Sequence, residues 1–212
     1  MKNLKEYIIE SSETFDAKLS SQFRGFCENL VRNVDYSKLK ETDEYDPNRF
    51  DISKENEQLF IDSFAETNKE FHAISSQEYF AILNPDKKFE NLSAKEKSDF
   101  DTKYGDIIII DDNDKPVCFV DIKISNNYFG AVSLGSLANF VEDGCYICVN
   151  KSKYESVFVS HKALVEKVKE DQDKFLHPVI KGRKYEGYPI KWEGQDLTSE
   201  YFVPGNQIAK FK

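Results

Sequence analysis

The stretch Tyr104-Gly105-Asp106-Ile107-Ile108-Ile109-Ile110, followed at Val117-Cys118-Phe119-Val120-Asp121-Ile122-Lys123-Ile124, decides how this chain folds. Two intensely apolar, β-branched runs flank Asp111-Asp112-Asn113-Asp114-Lys115-Pro116, which is dense in turn formers. This pattern predicts a β-hairpin with largely buried strands. Three charges are set into it: Asp106 at the start of the first strand, and Asp121 and Lys123 within the second. Burying a charge is costly unless it is paired or holds a metal ion. Residues two apart on a strand share a face, so Asp121 and Lys123 point the same way, with Val117 and Phe119 beside them. Val120, Ile122 and Ile124 fill the other face. Two carboxylates and an ammonium then converge at one end of a sheet, an arrangement suited to metal-dependent phosphodiester chemistry. The competing interpretation is a structural Asp121–Lys123 ion pair on the solvated face of an edge strand, with Asp106 capping a turn.

Gly-Asp, a short hairpin, then apolar-Asp-x-Lys resembles the active-site motif of the PD-(D/E)XK nuclease superfamily, which includes type II restriction endonucleases, junction resolvases and repair nucleases. The resemblance extends in predicted order to a helix over Ala131 to Val141 and a strand at Cys145-Tyr146-Ile147-Cys148-Val149. It implies that Asp106, Asp121 and the Ile122 carbonyl hold Mg²⁺, or Mn²⁺, and that Lys123 polarises the attacking water. It further implies an endonuclease acting on double-stranded DNA, restriction-enzyme-like, and a homodimeric assembly. The sequence departs from the motif in carrying Gly105, not proline, before Asp106. Such sites are often completed by a carboxylate from an upstream helix. Glu57, on the helical-wheel face of Phe60, Phe64 and Phe71, is the preferred candidate. Glu28, in Gly25-Phe26-Cys27-Glu28, is the other.

The rest of the chain supplies context. Leu19, Phe23, Phe26, Cys27, Leu30 and Val34 fall at helical spacing, predicting an amphipathic helix over roughly residues 13–34. A polar connection follows to Asp51, and Ser53 is expected to cap a helix reaching Phe71. A short helix is predicted over Ser76 to Leu83, a turn at Asn84-Pro85-Asp86, and a capping box at Ser93-x-x-Glu96. A helix over Gly130 to Val141 between two strands makes a crossover unit with a parallel pair. Val157-Phe158-Val159 suits a short strand, and Lys162 to Phe175 a polar helix. The fold class is therefore α/β: a restriction-endonuclease-like mixed sheet flanked by helices, with an N-terminal helical elaboration. The expected organisation is a strand-free helical lobe over 1–100, a nuclease-like core over 101–160, and a C-terminal helix with a basic, aromatic segment over 161–212. One compact domain can hold all three.

Composition bounds the function. Apolar residues make up 40% of the chain and aromatics 14%, enough for a substantial core. There is no run of about 18 apolar residues, so no membrane span is expected. The four cysteines, Cys27, Cys118, Cys145 and Cys148, lack finger spacing and read as reduced core thiols of a cytoplasmic protein. The three histidines are scattered, and the acidic loop at 111–114 lacks the glycine and distal glutamate of a calcium-binding loop. The net charge of −9 opposes nucleic-acid binding. Its distribution is uneven: residues 1–100 carry 14 basic and 21 acidic side chains, residues 144–212 carry 12 and 9. Within the latter, Lys181, Arg183, Lys184 and Lys191 are interleaved with Tyr185, Tyr188 and Trp192, the composition expected of a surface that grips phosphates. The alternative function, from a different class, is a non-catalytic acidic binding or inhibitory protein on a nuclease-like scaffold.

Overall fold

The computed structural model describes residues 21–40, 48–125, 138–151, 154–162, 164–165, 186–190 and 199–203. Helix α1 (Ser21–Val31) lies within the interval expected from its apolar spacing and buries Phe26, Cys27, Leu30 and Val31. Helix α2 spans Arg49–Thr67, strand β1 His72–Ser75, helix α3 Ser76–Leu83 and helix α4 Ala94–Tyr104. Strands β2 (Ile107–Ile110), β3 (Pro116–Ser125), β4 (Gly144–Asn150) and β5 (Glu155–Ser160) follow. They form one sheet in the order β1-β2-β3-β4-β5. Within it, only the β3–β4 pair is parallel. A separate antiparallel pair joins β6 (Glu186–Ile190) to β7 (Ser199–Val203).

The hairpin forms as its sequence requires. Asp111 closes the tip by accepting the backbone N–H groups of Asn113 and Lys115 on its own carboxylate, at 2.9 and 3.0 Å. The acidic run at 111–114 is thus organised around its own backbone. β3 pairs with β2 on one side and β4 on the other, so it is the middle strand of five. This removes the edge-strand interpretation of Asp121 and Lys123.

Alternation along the strands builds two apolar layers. Ile107, Ile109, Cys118, Val120, Cys145, Ile147 and Val149 face α1 and α2, packing on Phe26, Leu30, Phe60 and Phe64. Ile108 and Ile110 face the other way, onto Tyr79, Phe100, Tyr104 and Phe119. Cys145 and Cys148, three apart on one strand, point to opposite faces. Cys145 meets Cys27 at 3.4 Å and Cys118 at 3.9 Å between sulfurs, within the core. All four cysteines are buried thiols outside any disulfide, as expected of core residues.

Three elements differ from expectation. Helix α2 begins at Arg49, so Ser53 lies inside it and donates to Glu57 rather than capping the helix. Residues 72–75 form an edge strand within the segment expected to lack strands, because Ala73 and Ile74 find Ile109 and Ile108 as cross-strand partners. Tyr36 and Leu39, in the expected polar connection, are buried core residues, with the Tyr36 hydroxyl 2.6 Å from Ser156 Oγ. The capping boxes at Ser75/Glu78 and Ser93/Glu96 are both complete, the second at the expected position. The expected helices over 130–141 and 162–175 lie largely outside the described residues, as does the segment 181–185 with Lys181, Arg183 and Lys184, and also Lys191. Among the described residues, no helix is long and apolar enough to cross a membrane.

Candidate active site

The site is assembled where α4 hands over to β2. Gly105 ends α4 with φ 78° and ψ −170°, a conformation essentially confined to glycine. Its N–H donates to the Asp101 carbonyl at 2.7 Å. Proline, with φ fixed near −65° and no N–H, cannot occupy this position. The departure from the nuclease motif is therefore a requirement of this backbone.

Beyond Gly105 the chain turns onto β3. The Asp106 N–H donates to the Val120 carbonyl at 2.9 Å, and the Ser76 N–H donates to the Asp106 carbonyl at 3.1 Å. Asp106 Oδ2 then accepts the Ile122 N–H at 2.7 Å, so its side chain continues the β2–β3 ladder past the end of β2. Asp106 is thus held at three points, two on its backbone and one on its carboxylate. Asp121 and Lys123 project from the next stretch of β3 and form an ion pair at 2.5 Å, with side chains 8% and 26% exposed.

Glu57 approaches from α2. With Asp106, Ile122, Ile124, Ser53, Asn56 and Lys40 it lines a small, open pocket beside the start of β2. Asp121 and Lys123 lie on the opposite face of β3 from Ile122 and Ile124, and neither lines that pocket. The structure thus brings Glu57 and Asp106 together directly, while Asp121 and Lys123 act on them across the strand. Glu28, on α1, is not a lining residue.

The buried charges act on one another. Burial pushes the Asp106 carboxyl well above the usual range, the nearby Asp121 and Glu57 push it further, and Lys123 pulls it back. Burial likewise raises Glu57, to about 7, against the hydrogen bond from Ser53, with Asp101 and Asp121 adding repulsion. Asp101 is raised by burial and by Asp121, although Ser76 Oγ donates to it at 2.8 Å. For Lys123, burial opposes the charge, but Asp121 and Asp106 outweigh it and raise its pKa. Lys123 is therefore a cation at neutral pH.

The donor chemistry fits a hard divalent cation: mutually repelling carboxylates whose protons it would displace. Among the described residues, no three His, Cys, Asp or Glu side chains are gathered into a ready ligand set. Mg²⁺ commonly needs only one or two carboxylates and retains several waters. Glu57 and Asp106 across one pocket meet that lesser requirement. Sequence reasoning singled out Glu57 from its place on the apolar face of α2. It missed Asp101, Asn56 and Lys40, whose positions depend on tertiary packing and carry no local motif.

The Glu57 shift has a measurable consequence. Its folded pKa lies above its unfolded value of about 4.3, so the native state holds the extra proton between roughly pH 4.5 and 7. Stability therefore falls as pH rises through that window, and the penalty is complete above it. Glu57→Gln removes the penalty. Urea denaturation in EDTA should show the variant matching the parent near pH 4 and exceeding it by roughly 3 kcal/mol at pH 8. Equal stability at both pH values would mean that Glu57 is solvated in the native state.

No family model matches the chain, and no curated protein or solved structure matches it either.

Proposed function

We propose that this chain is a Mg²⁺-dependent endonuclease of the PD-(D/E)XK type, hydrolysing DNA phosphodiester bonds. The observation that carries this reading is the placement of Asp106 and Glu57 in one pocket, beside the largely buried Asp121–Lys123 pair, at the open end of the β2–β3 hairpin. A purely structural ion pair needs two of these groups and gains nothing from two further acids pushed against it.

Asp106 and Glu57 would hold the cation from within the pocket, joined by the Ile122 carbonyl that the motif implies; Asp121, which the motif also implies as a ligand, does not line the pocket and would act by holding Lys123. The chemistry a divalent cation supplies when bound is acidification of a water molecule and neutralisation of charge on the phosphate. Lys123, protonated and held by Asp121, cannot serve as a general base. Its part is to orient the nucleophile and balance the negative charge that grows on the phosphate. Lys181, Arg183, Lys184 and Lys191 remain the proposed sequence-distal DNA contacts. Changing all four to alanine should lower the log–log salt slope of binding by about 0.9 for each phosphate they neutralise.

The net charge of −9 favours the second reading, an acidic binding or inhibitory protein on this scaffold. Calorimetric titration with Mg²⁺ and Mn²⁺ separates the two. A nuclease site should bind one of these ions, lose binding in Asp106→Ala, and release protons below about pH 7, with affinity rising from pH 6 to 8. The absence of any ion binding that depends on Asp106 would favour the binding protein.

A further inference from the structure

The site just described is strongly acidic, and a DNA backbone must approach it. Among the described residues, Lys40 is the cation that lines the same pocket as Glu57 and Asp106. Its main chain is fixed. Asn56 Oδ1 accepts the Lys40 N–H at 2.9 Å, and Asn56 Nδ2 donates to the Lys40 carbonyl at 2.7 Å. Asn56 is buried on α2 at 6% exposure, one residue from Glu57, and the neighbouring Leu39 is anchored in the core at 1%. A primary amide that pairs with both backbone groups of one residue fixes that residue as a strand partner would. The Lys40 side chain, by contrast, is 55% exposed, and its ammonium is paired with the exposed Glu55 carboxylate. Exposed pairs of this kind are weak and exchange partners readily. The result is an adjustable cation on a rigid mount at the rim of the acidic pocket.

Resting on the endonuclease reading, we infer that Lys40 binds a backbone phosphate of the DNA next to the one being cleaved, and that Asn56 is its positioning residue. Glu55 holds the ammonium in the free protein and gives it up to the phosphate. Lys40 is thereby tied through Asn56 to the same turn of α2 that carries Glu57, so the group that grips the substrate is held by the element that supplies a carboxylate of the metal pocket.

The test is fluorescence anisotropy of a labelled DNA duplex, with Ca²⁺ in place of Mg²⁺ as a hard cation of looser geometry. Lys40→Ala should weaken binding about fivefold at low salt and reduce the log–log salt slope by about 0.9, the value of one phosphate. Lys40→Arg should bind like the parent. Glu55→Gln should tighten binding about threefold, since it removes both a competitor and a repelling charge. Asn56→Ala should show the same reduction of salt slope as Lys40→Ala, which a merely structural asparagine would not do. Lys95→Ala removes an exposed lysine that is paired with Asp99 and lies outside the pocket, and should change nothing. Lys40→Ala indistinguishable from Lys95→Ala in affinity and slope overturns the inference, as does a parent protein that binds no duplex. If the parent binds DNA through Lys40 but cleaves none in Mg²⁺, the Lys40 contact stands and the cleavage reading fails.

Discussion

Replacing Asp106 by asparagine should make the protein more stable and, at the same time, inactive. The carboxyl is raised by burial and by repulsion from Asp121 and Glu57, so native-state stability falls as pH rises above the unfolded carboxyl pKa of about 3.9. Asparagine keeps an oxygen that can accept the Ile122 N–H, now bound by Asp106 Oδ2 at 2.7 Å, and carries no charge. In EDTA at pH 8 the Tm of Asp106→Asn should exceed that of the parent. Toward pH 4, where the unfolded chain also takes up the proton, the difference should narrow. DNA cleavage in Mg²⁺ should fall by about 1,000-fold or more, the scale of loss when a principal charge-stabilising group is removed. Stability gained with activity lost is the signature of a residue retained for function. A fall in both would make Asp106 a structural ladder residue.

Gly105→Pro should be the most damaging single change to the fold. The replacement moves φ from 78° to near −65° and deletes the hydrogen bond to Asp101. Even alanine is excluded: a Cβ here would stand 2.6 Å from the Val120 carbonyl oxygen and 2.9 Å from its carbon. Those atoms belong to the middle strand, and the same carbonyl receives the Asp106 N–H. Relieving the clash means separating Asp106 from β3. Gly105→Ala should lose roughly 2 to 4 kcal/mol in urea denaturation, and Gly105→Pro more still. Both should lose metal binding along with stability. A Gly105→Pro protein of parental stability would show that the α4–β2 junction adopts another backbone path.

The features legible in the sequence are those decided locally. Ile107 to Ile110 and Val117 to Ile124 are β-branched runs around a turn, and Asp111 supplies the tip's own hydrogen bonds, so the hairpin follows from neighbouring residues, whereas the register, with its shift between Ile109 and Ile110, does not. The Ser93 capping box is local in the same sense, the parallel β4 follows from the order strand, helix, strand, and β5 is legible as a short strand without its pairing. What stayed hidden is decided at a distance. His72-Ala73-Ile74-Ser75 has one bulky aliphatic residue and becomes a strand because β2 offers it an open edge. The α2 start at Arg49 has an Asn48 cap without a side-chain hydrogen bond, whereas Ser53 resembles a cap and instead bonds to Glu57. Asp106, Asp121 and Lys123 could be singled out because charge in an apolar strand is conspicuous. Asp101 sits in a polar helix, where an acid attracts no attention, and only packing against Ser76 brings it toward Asp121. Glu57 was visible as a charge on the apolar face of α2, but the pocket it shares with Asp106 was not.

A metal-dependent nuclease is tested at its root by supercoiled plasmid incubated with the protein, in Mg²⁺ or EDTA, with Asp121→Ala and Lys123→Ala beside the parent. The expected result is nicked or linear product from the parent in Mg²⁺, none in EDTA, and none from either variant, with all three proteins folded by circular dichroism. Equal cleavage by all three, or cleavage that persists in EDTA, would contradict it.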